Sequence, residues 1–224
     1  LIPLASGSHS VGIVADSRLH PIESLDTFDK SLDWLRVHQP QLHAALESKR
    51  ALLQDFAYFR RFSYGCKQMY CGRSRWALTG EAGVFLDPFY SPGSDFIAVA
   101  NTQITEMIAI DDAGGPVQMV AGLYEQVFFS LYRNMLPIYV DQYPIFADAR
   151  VMPVKVLWDY TFYWGIMCPL VIQRRILDLP KMSRLQDRLA GVEQLNIAVQ
   201  RLLRQWCAQR GPCASSENLG APWR

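Results

Sequence analysis

Apolar positions change their period several times along this 224-residue chain, and each change marks an element. Leu1 to Ala5 and Ser10 to Ala15 are short β-type runs joined by Ser6-Gly7-Ser8, a composition that predicts a hairpin belonging to a larger sheet. Between Pro21 and Ser48, Leu25, Phe28, Leu32 and Leu35 recur at helical steps, with Asp26, Asp29, Lys30 and Asp33 between them. The helix breaks at Pro40, a residue suited to open a second short helix carrying Leu42, Ala45 and Leu46, because its ring has no N–H to leave unpaired. From Ala51 the pattern alternates, with Phe56, Tyr58, Arg60 and Phe62 on one parity and Ala57, Phe59, Arg61 and Ser63 on the other; this predicts a strand. Lys67 to Cys71 is expected to pair with it antiparallel, and Gly72-Arg73-Ser74 to turn the chain into a further strand at Trp76, Ala77 and Leu78. The aromatic rows suit a wall over a flat substrate and equally a plain sheet core.

Beyond Trp76 the periodicity is helical. Ile97, Ala100, Ile104, Met107 and Ile108 form the apolar stripe of a helix with Ser94 as its N-cap. Asp111 to Pro116, with two glycines and a proline, reads as a domain boundary, after which the chain is wholly helical. Val117 to Tyr139 carries a stripe of Leu123, Val127, Leu131 and Met135 and ends near Pro137, and Pro144 interrupts again. Val154 to Ile172 is the most apolar window, but Lys155, Asp159 and Pro169 leave too short an uncharged span to cross a membrane, so it reads as a buried helix. Its Trp158, Tyr160, Tyr163 and Trp164 suit core packing or an aromatic substrate pocket. Arg184 to Gln209 places Leu185, Leu189, Val192, Leu195, Val199, Leu202, Leu203 and Trp206 at helical steps; Gly211-Pro212 ends that helix, and Ala214 to Arg224 reads as a poorly ordered tail.

Composition narrows the function classes. Half the residues are hydrophobic and the formal net charge is +1, so the chain is globular and has no electrostatic footprint for nucleic acid. Five cysteines (Cys66, Cys71, Cys168, Cys207 and Cys213), an odd number with no Cys-x-x-Cys pair, suggest reduced thiols and a cytoplasmic setting, and no set of four metal ligands is evident. His9 and His20 read as solvated or capping histidines, and Trp34 with His38, four apart on one helix, as packing beside a polar neighbour.

The candidate chemistry lies between Arg75 and Ile110. The strand at Trp76 enters Gly80-Glu81-Ala82-Gly83, then Asp87-Pro88-Phe89-Tyr90-Ser91-Pro92-Gly93, then the helix. Glycines there would let a ligand approach the backbone, and the prolines fix the loop. The helix points its positive end at the loop, which favours a negative group.

This stretch resembles the second flavin-binding motif of FAD-dependent monooxygenases, GDAxxxxxPxxxxG, in its halogenase-like form, with Glu81 in place of the usual Asp. The resemblance implies that Glu81 hydrogen-bonds the ribityl chain, that Pro88 lies beside the isoalloxazine ring, and that the Gly93 region faces its pyrimidine side. The implied FAD contacts are Gly80, Glu81, Asp87, Pro88, Ser91, Pro92, Gly93 and Ser94. Halogenase-like proteins also carry WxWxIP, and Leu1-Ile2-Pro3 is similar to its end, so the chain reads as the C-terminal part of a longer protein whose Rossmann half lies elsewhere. The expected fold is α+β: residues 1–74 a substrate-side β segment with a helical insertion, 75–112 the flavin-contacting strand, loop and helix, and 113–224 an α-helical region. The implied activity is oxidation or halogenation of an aromatic or other small organic substrate through a flavin hydroperoxide, with a flavin reductase as source of reduced flavin. The alternative is a degenerate relative that serves as a binding module.

Tryptophan-type halogenases carry Glu-Ser-Thr-Gly where this chain has Tyr90-Ser91-Pro92-Gly93. By the resemblance, the Glu assists substrate deprotonation and the Thr-Gly amides help to hold halide. Tyr90 is no carboxylate and Pro92 has no N–H, so poor tryptophan halogenation is expected.

Overall fold

In a computed structural model, which describes residues 1–210, the chain separates into two compact units, Leu1–Arg61 and Phe62–Arg224. The end of the chain from residue 211, including Cys213 and the expected tail, lies outside the described residues. A short-stranded first half precedes a long helical C-terminal part.

The first unit opens with a hairpin in which β1 (Ile2–Pro3) pairs antiparallel with β2 (His9–Ser10), turning at Gly7, whose φ of 83° suits glycine. These strands are shorter than the sequence runs, and the sheet has two strands rather than more among the described residues. Helix α1 (Phe28–His38) is capped by Thr27, whose side chain accepts the Lys30 amide, and it buries Leu32 and Leu35. Helix α2 (Pro40–Glu47) begins on Pro40 at its first position.

The strand expected over Phe56 to Ser63 is absent. Residues 51–61 are exposed, and pairing is limited to an isolated bridge in which Tyr64 and Phe85 exchange N–H···O bonds of 3.0 and 2.9 Å. The alternation offers no apolar face against a polar one, because phenylalanine and arginine stand on both parities. The partner run is also engaged elsewhere: β3 (Tyr70–Cys71) pairs with β4 (Trp76–Ala77) across the short Gly72 turn.

Helices build the second unit. α3 (Pro92–Asp112) and α4 (Val117–Met135) are joined at Gly114-Gly115-Pro116, where Gly114 has a φ of 71°. The expected partition points near 74 and 112 both fall within this unit. Phe96, Val99, Ala100 and Met107 of α3 meet Val120, Tyr124, Phe128 and Leu131 of α4 in the main core. Thus the buried face of α3 is centred on Phe96 and Val99, while Ile97 and Ile108 of the expected stripe stay exposed. The Glu125 carboxylate of α4 accepts the Met69 and Tyr70 amides at 2.6 and 3.1 Å, fastening β3 to the helices.

Helix α5 (Val151–Phe162) continues through a π-helical turn, Tyr163–Met167, into α6 (Cys168–Ile172). Pro169 has no amide to give the carbonyl four residues back, and the helix widens just ahead of it. The apolar window is not buried all round, since Leu157, Tyr160 and Trp164 are exposed. Helix α7 (Leu179–Arg210) buries Met182, Leu189 and Leu203, but also Asn196 and Gln200, while Leu195 and Leu202 of the expected stripe face solvent. Among the described residues no helix is long and apolar enough to cross a membrane.

Candidate functional site

The expected ligand loop is held by hydrogen bonds and by an unusual backbone. Asp87 accepts the Phe89 amide at 2.8 Å, and the Ser91 amide reaches the Pro88 carbonyl at 3.0 Å. Tyr90 and Ser91 follow with φ of 64° and 55°, two consecutive side-chain-bearing residues in the left-handed region. Pro92 then opens α3 at the position where a missing N–H does no harm. Ser94 is therefore not the N-cap; it sits exposed in the first helical turn, and Ser91 occupies the cap position without a side-chain hydrogen bond.

The three motif glycines are packed against protein. A Cβ on Gly80 (φ 46°) would meet the backbone of Ile97 in α3, and one on Gly83 would meet the Met69 sulfur. The space beside Gly93 is taken by the Glu81 carboxylate. These positions let the Gly80–Ala82 turn sit directly on α3, and that close approach uses up the room that a ligand would need. What remains compatible with an anionic ring edge is the rim: exposed Pro88, Ser91 and Ser94, with first-turn amides of α3 that have no intrahelical acceptor. The residues present thus fit a flavin along one edge and supply no enclosing cradle.

The loop docks on the helical region through phenol–carboxylate pairs. Tyr143 donates to Asp87 at 2.8 Å, Tyr163 of the π turn donates to Asp95 at 2.8 Å, and Tyr90 donates to Asp159 at 3.2 Å. Phe89 and Tyr90 lie with ring centroids 3.8 Å apart, and Tyr160 meets Tyr90 edge-on at 5.8 Å. Burial, then the neighbouring Asp159, pushes the Tyr90 phenol far above its ordinary range, so it stays protonated.

Behind Tyr90 lies a buried polar group that the sequence reading did not recognise. Lys155 Nζ sits 2.8 Å from Asp159 Oδ2 and also donates to Ile138 O at 2.9 Å and Gln200 Oε1 at 3.0 Å. Gln200 Nε2 donates to Asp159 Oδ1 at 2.6 Å, and Trp158 Nε1 to Asn196 Oδ1 at 2.9 Å. Burial drives the Lys155 ammonium down and the Asp159 carboxyl up, and each opposes the other's shift. Two charges four residues apart inside the most apolar window were the available signal.

Other singled-out residues lie apart from this loop. In the first unit His20 Nδ1 accepts the Trp34 indole N–H at 3.0 Å, and the Trp34 and His38 rings lie 4.4 Å apart, a packed cluster. His9 is exposed in β2. Cys66 donates to the Met69 sulfur at 3.3 Å; Cys66, Cys71 and Cys168 are free thiols, and the Cys207 sulfur reaches the Pro144 carbonyl at 3.6 Å. Among the described residues no group of three His, Cys, Asp or Glu is placed to hold a metal.

No family model matches the chain, and no solved structure matches it. It is similar to the flavin-dependent halogenase chlA of Dictyostelium discoideum, with 22% identity over 176 residues, 77% of this chain and 29% of that protein. The chain therefore spans less than a third of the length of the curated relative it matches, and it is halogenase-related at a distance.

Proposed function

We propose that this chain is the C-terminal part of a flavin-dependent oxidoreductase, halogenase-like or monooxygenase, that acts on an aromatic or other small organic substrate. The observation that carries this reading is the similarity to a flavin-dependent halogenase over 77% of the chain. Pro88, Ser91 and Ser94 on the exposed rim would contact FAD, with Glu81, Asp87, Pro92, Gly93 and the Gly80 turn packed behind them. Reduced flavin from a separate reductase supplies the electrons that activate O₂.

The chain's own residues then set which chemistry is assisted. Tyr90 gives its proton to a hydrogen bond with Asp159, and burial keeps that phenol protonated, so it cannot serve as a base for an indole. Pro92 removes one backbone donor from the turn that would hold a halide. Both features favour a substrate ring that is already activated.

The test supplies the full-length protein with a flavin reductase, NADH and chloride or bromide, against indole and phenol panels. Turnover confined to activated phenols is expected, and Pro92→Thr should raise its halide dependence. Brisk chlorination of free tryptophan would refute the reading. A second reading, a relative that no longer holds flavin, draws support from the filled glycine spaces at Gly80, Gly83 and Gly93.

A further inference from the structure

The buried polar group behind Tyr90 is saturated from within the helices. All three protons of the Lys155 ammonium have acceptors: Asp159 Oδ2 at 2.8 Å, the Ile138 carbonyl at 2.9 Å and Gln200 Oε1 at 3.0 Å. Gln200 Nε2 donates to Asp159 Oδ1 at 2.6 Å and reaches Asn196 Oδ1 at 3.3 Å, and Asn196 Nδ2 donates to the Asn134 carbonyl of α4 at 3.0 Å. Lys155, Asp159, Asn196 and Gln200 are all at most 3% exposed. The Asp159 carboxylate is thus fixed in direction by partners that α4, α5 and α7 hold together.

Such a group adds little stability by itself. Desolvation consumes much of the attraction between two buried charges, and apolar side chains of similar volume commonly fill the same space as well. What an apolar pair lacks is an acceptor aimed at a donor outside the helices. Here that donor is the Tyr90 hydroxyl, 3.2 Å from Asp159 Oδ2. Burial keeps the phenol protonated, so its proton is available to give.

Tyr90 is a residue that needs a hold. It and Ser91 have φ of 64° and 55°, a conformation that glycine adopts freely and a tyrosine keeps only where its surroundings enforce it. The loop's own bonds, from the Phe89 amide to Asp87 and from the Ser91 amide to the Pro88 carbonyl, shape the turn without fixing the Tyr90 side chain. Ring contacts with Phe89 at 3.8 Å and Tyr160 at 5.8 Å limit where its ring lies. The bond from the far end of that ring to Asp159, 69 residues along the chain, ties the turn to the helices. Pro92 follows at once and opens α3, so the turn also sets how the helix begins.

We infer that Asp159, oriented by Lys155 and Gln200, is a positioning residue: through the Tyr90 hydroxyl it holds the left-handed Tyr90-Ser91 turn, and with it the rim that exposes Ser91 and Ser94. That this rim meets a flavin edge rests on the flavin reading; the hold itself does not, and the two are measured separately.

Tyr90→Phe removes the hydroxyl and leaves Asp159 bonded to Lys155 and Gln200, so the core keeps its partners. In the full-length protein without flavin, amides of residues 86–94 should exchange about 3- to 10-fold faster than in the parent, with α5 and α7 unchanged. FAD titrated into the same two proteins should bind about 3- to 10-fold more weakly to the variant, because the competent loop is a smaller fraction of its ensemble. Lys155→Met with Asp159→Leu should speed the same amides to the same extent, and adding Tyr90→Phe to that pair should speed them no further. Tyr90→Phe decides alone should the pair variant not fold. Exchange in residues 86–94 that Tyr90→Phe leaves unaltered, or speeds equally throughout α5 and α7, would overturn the inference, the second result marking the hydroxyl as general core stabilisation. Additive effects of Tyr90→Phe and the pair would also overturn it. Faster loop exchange with an unchanged FAD affinity would support the hold and remove the rim from the flavin contact.

Discussion

Asp95 is a residue whose surroundings set a sign that can be measured. Its carboxyl is pushed up from 3.8 by burial, and the Tyr163 hydroxyl at 2.8 Å only partly counters this. The folded chain therefore holds the Asp95 proton more tightly than the unfolded chain does. The stabilisation linked to that proton is complete below the unfolded carboxyl's range and is lost as pH rises through the raised folded value. Asp95→Asn should accordingly be as stable as the parent or more stable at neutral pH, with the difference closing as the solution is acidified below the ordinary carboxylate range. Urea denaturation at neutral and acid pH checks this, and a variant less stable at neutral than at acid pH, relative to the parent, would reverse the sign. The sequence showed where Asp87 and Tyr90 lie along the loop, because the motif numbers them, while Asp95 falls beyond its last glycine in α3. It did not show their partners, since Tyr143, Asp159 and Tyr163 come from segments 56 to 69 residues away.

At the scale of elements, periodicity located helices well when apolar and polar positions were distinct. Helix α1 and the Pro40 start of α2 follow from spacing and proline chemistry alone. In α3 the stripe was displaced, because Ile97 and Ile108 match Phe96 and Met107 in hydrophobicity and only tertiary packing decides between them. In α7 the buried Asn196 and Gln200 could not be told from surface polar residues until α5 supplied Trp158, Lys155 and Asp159 as partners. The Gly72 turn offers a direct check of element packing. A Cβ there would lie 2.5 Å from Gln118 Cα and 2.7 Å from the Val117 carbonyl, both backbone atoms at the start of α4. Because neither can rotate away, Gly72→Ala should lose about 1–3 kcal/mol. Chemical denaturation reads this loss, and an unchanged midpoint would show that β3 and β4 do not sit on α4 as described.

Within the second unit, the Gly80 turn, the Asp87–Ser94 loop and α3 belong to the same compact body as the long C-terminal helices. The filled spaces at Gly80, Gly83 and Gly93 and the available rim at Ser91 and Ser94 point in opposite directions for flavin binding. That contrast was illegible in the sequence, where a glycine kept for close packing and one kept for a ligand look the same. Hydrogen exchange of the full-length protein with and without FAD, read peptide by peptide, decides the matter most directly. Amides of residues 86–97 should exchange at least about fivefold more slowly with FAD bound, while residues 117–126 in the first half of α4 should not change. FAD that fails to bind, or that binds without slowing exchange in residues 86–97, would contradict the assignment of this loop to the flavin edge.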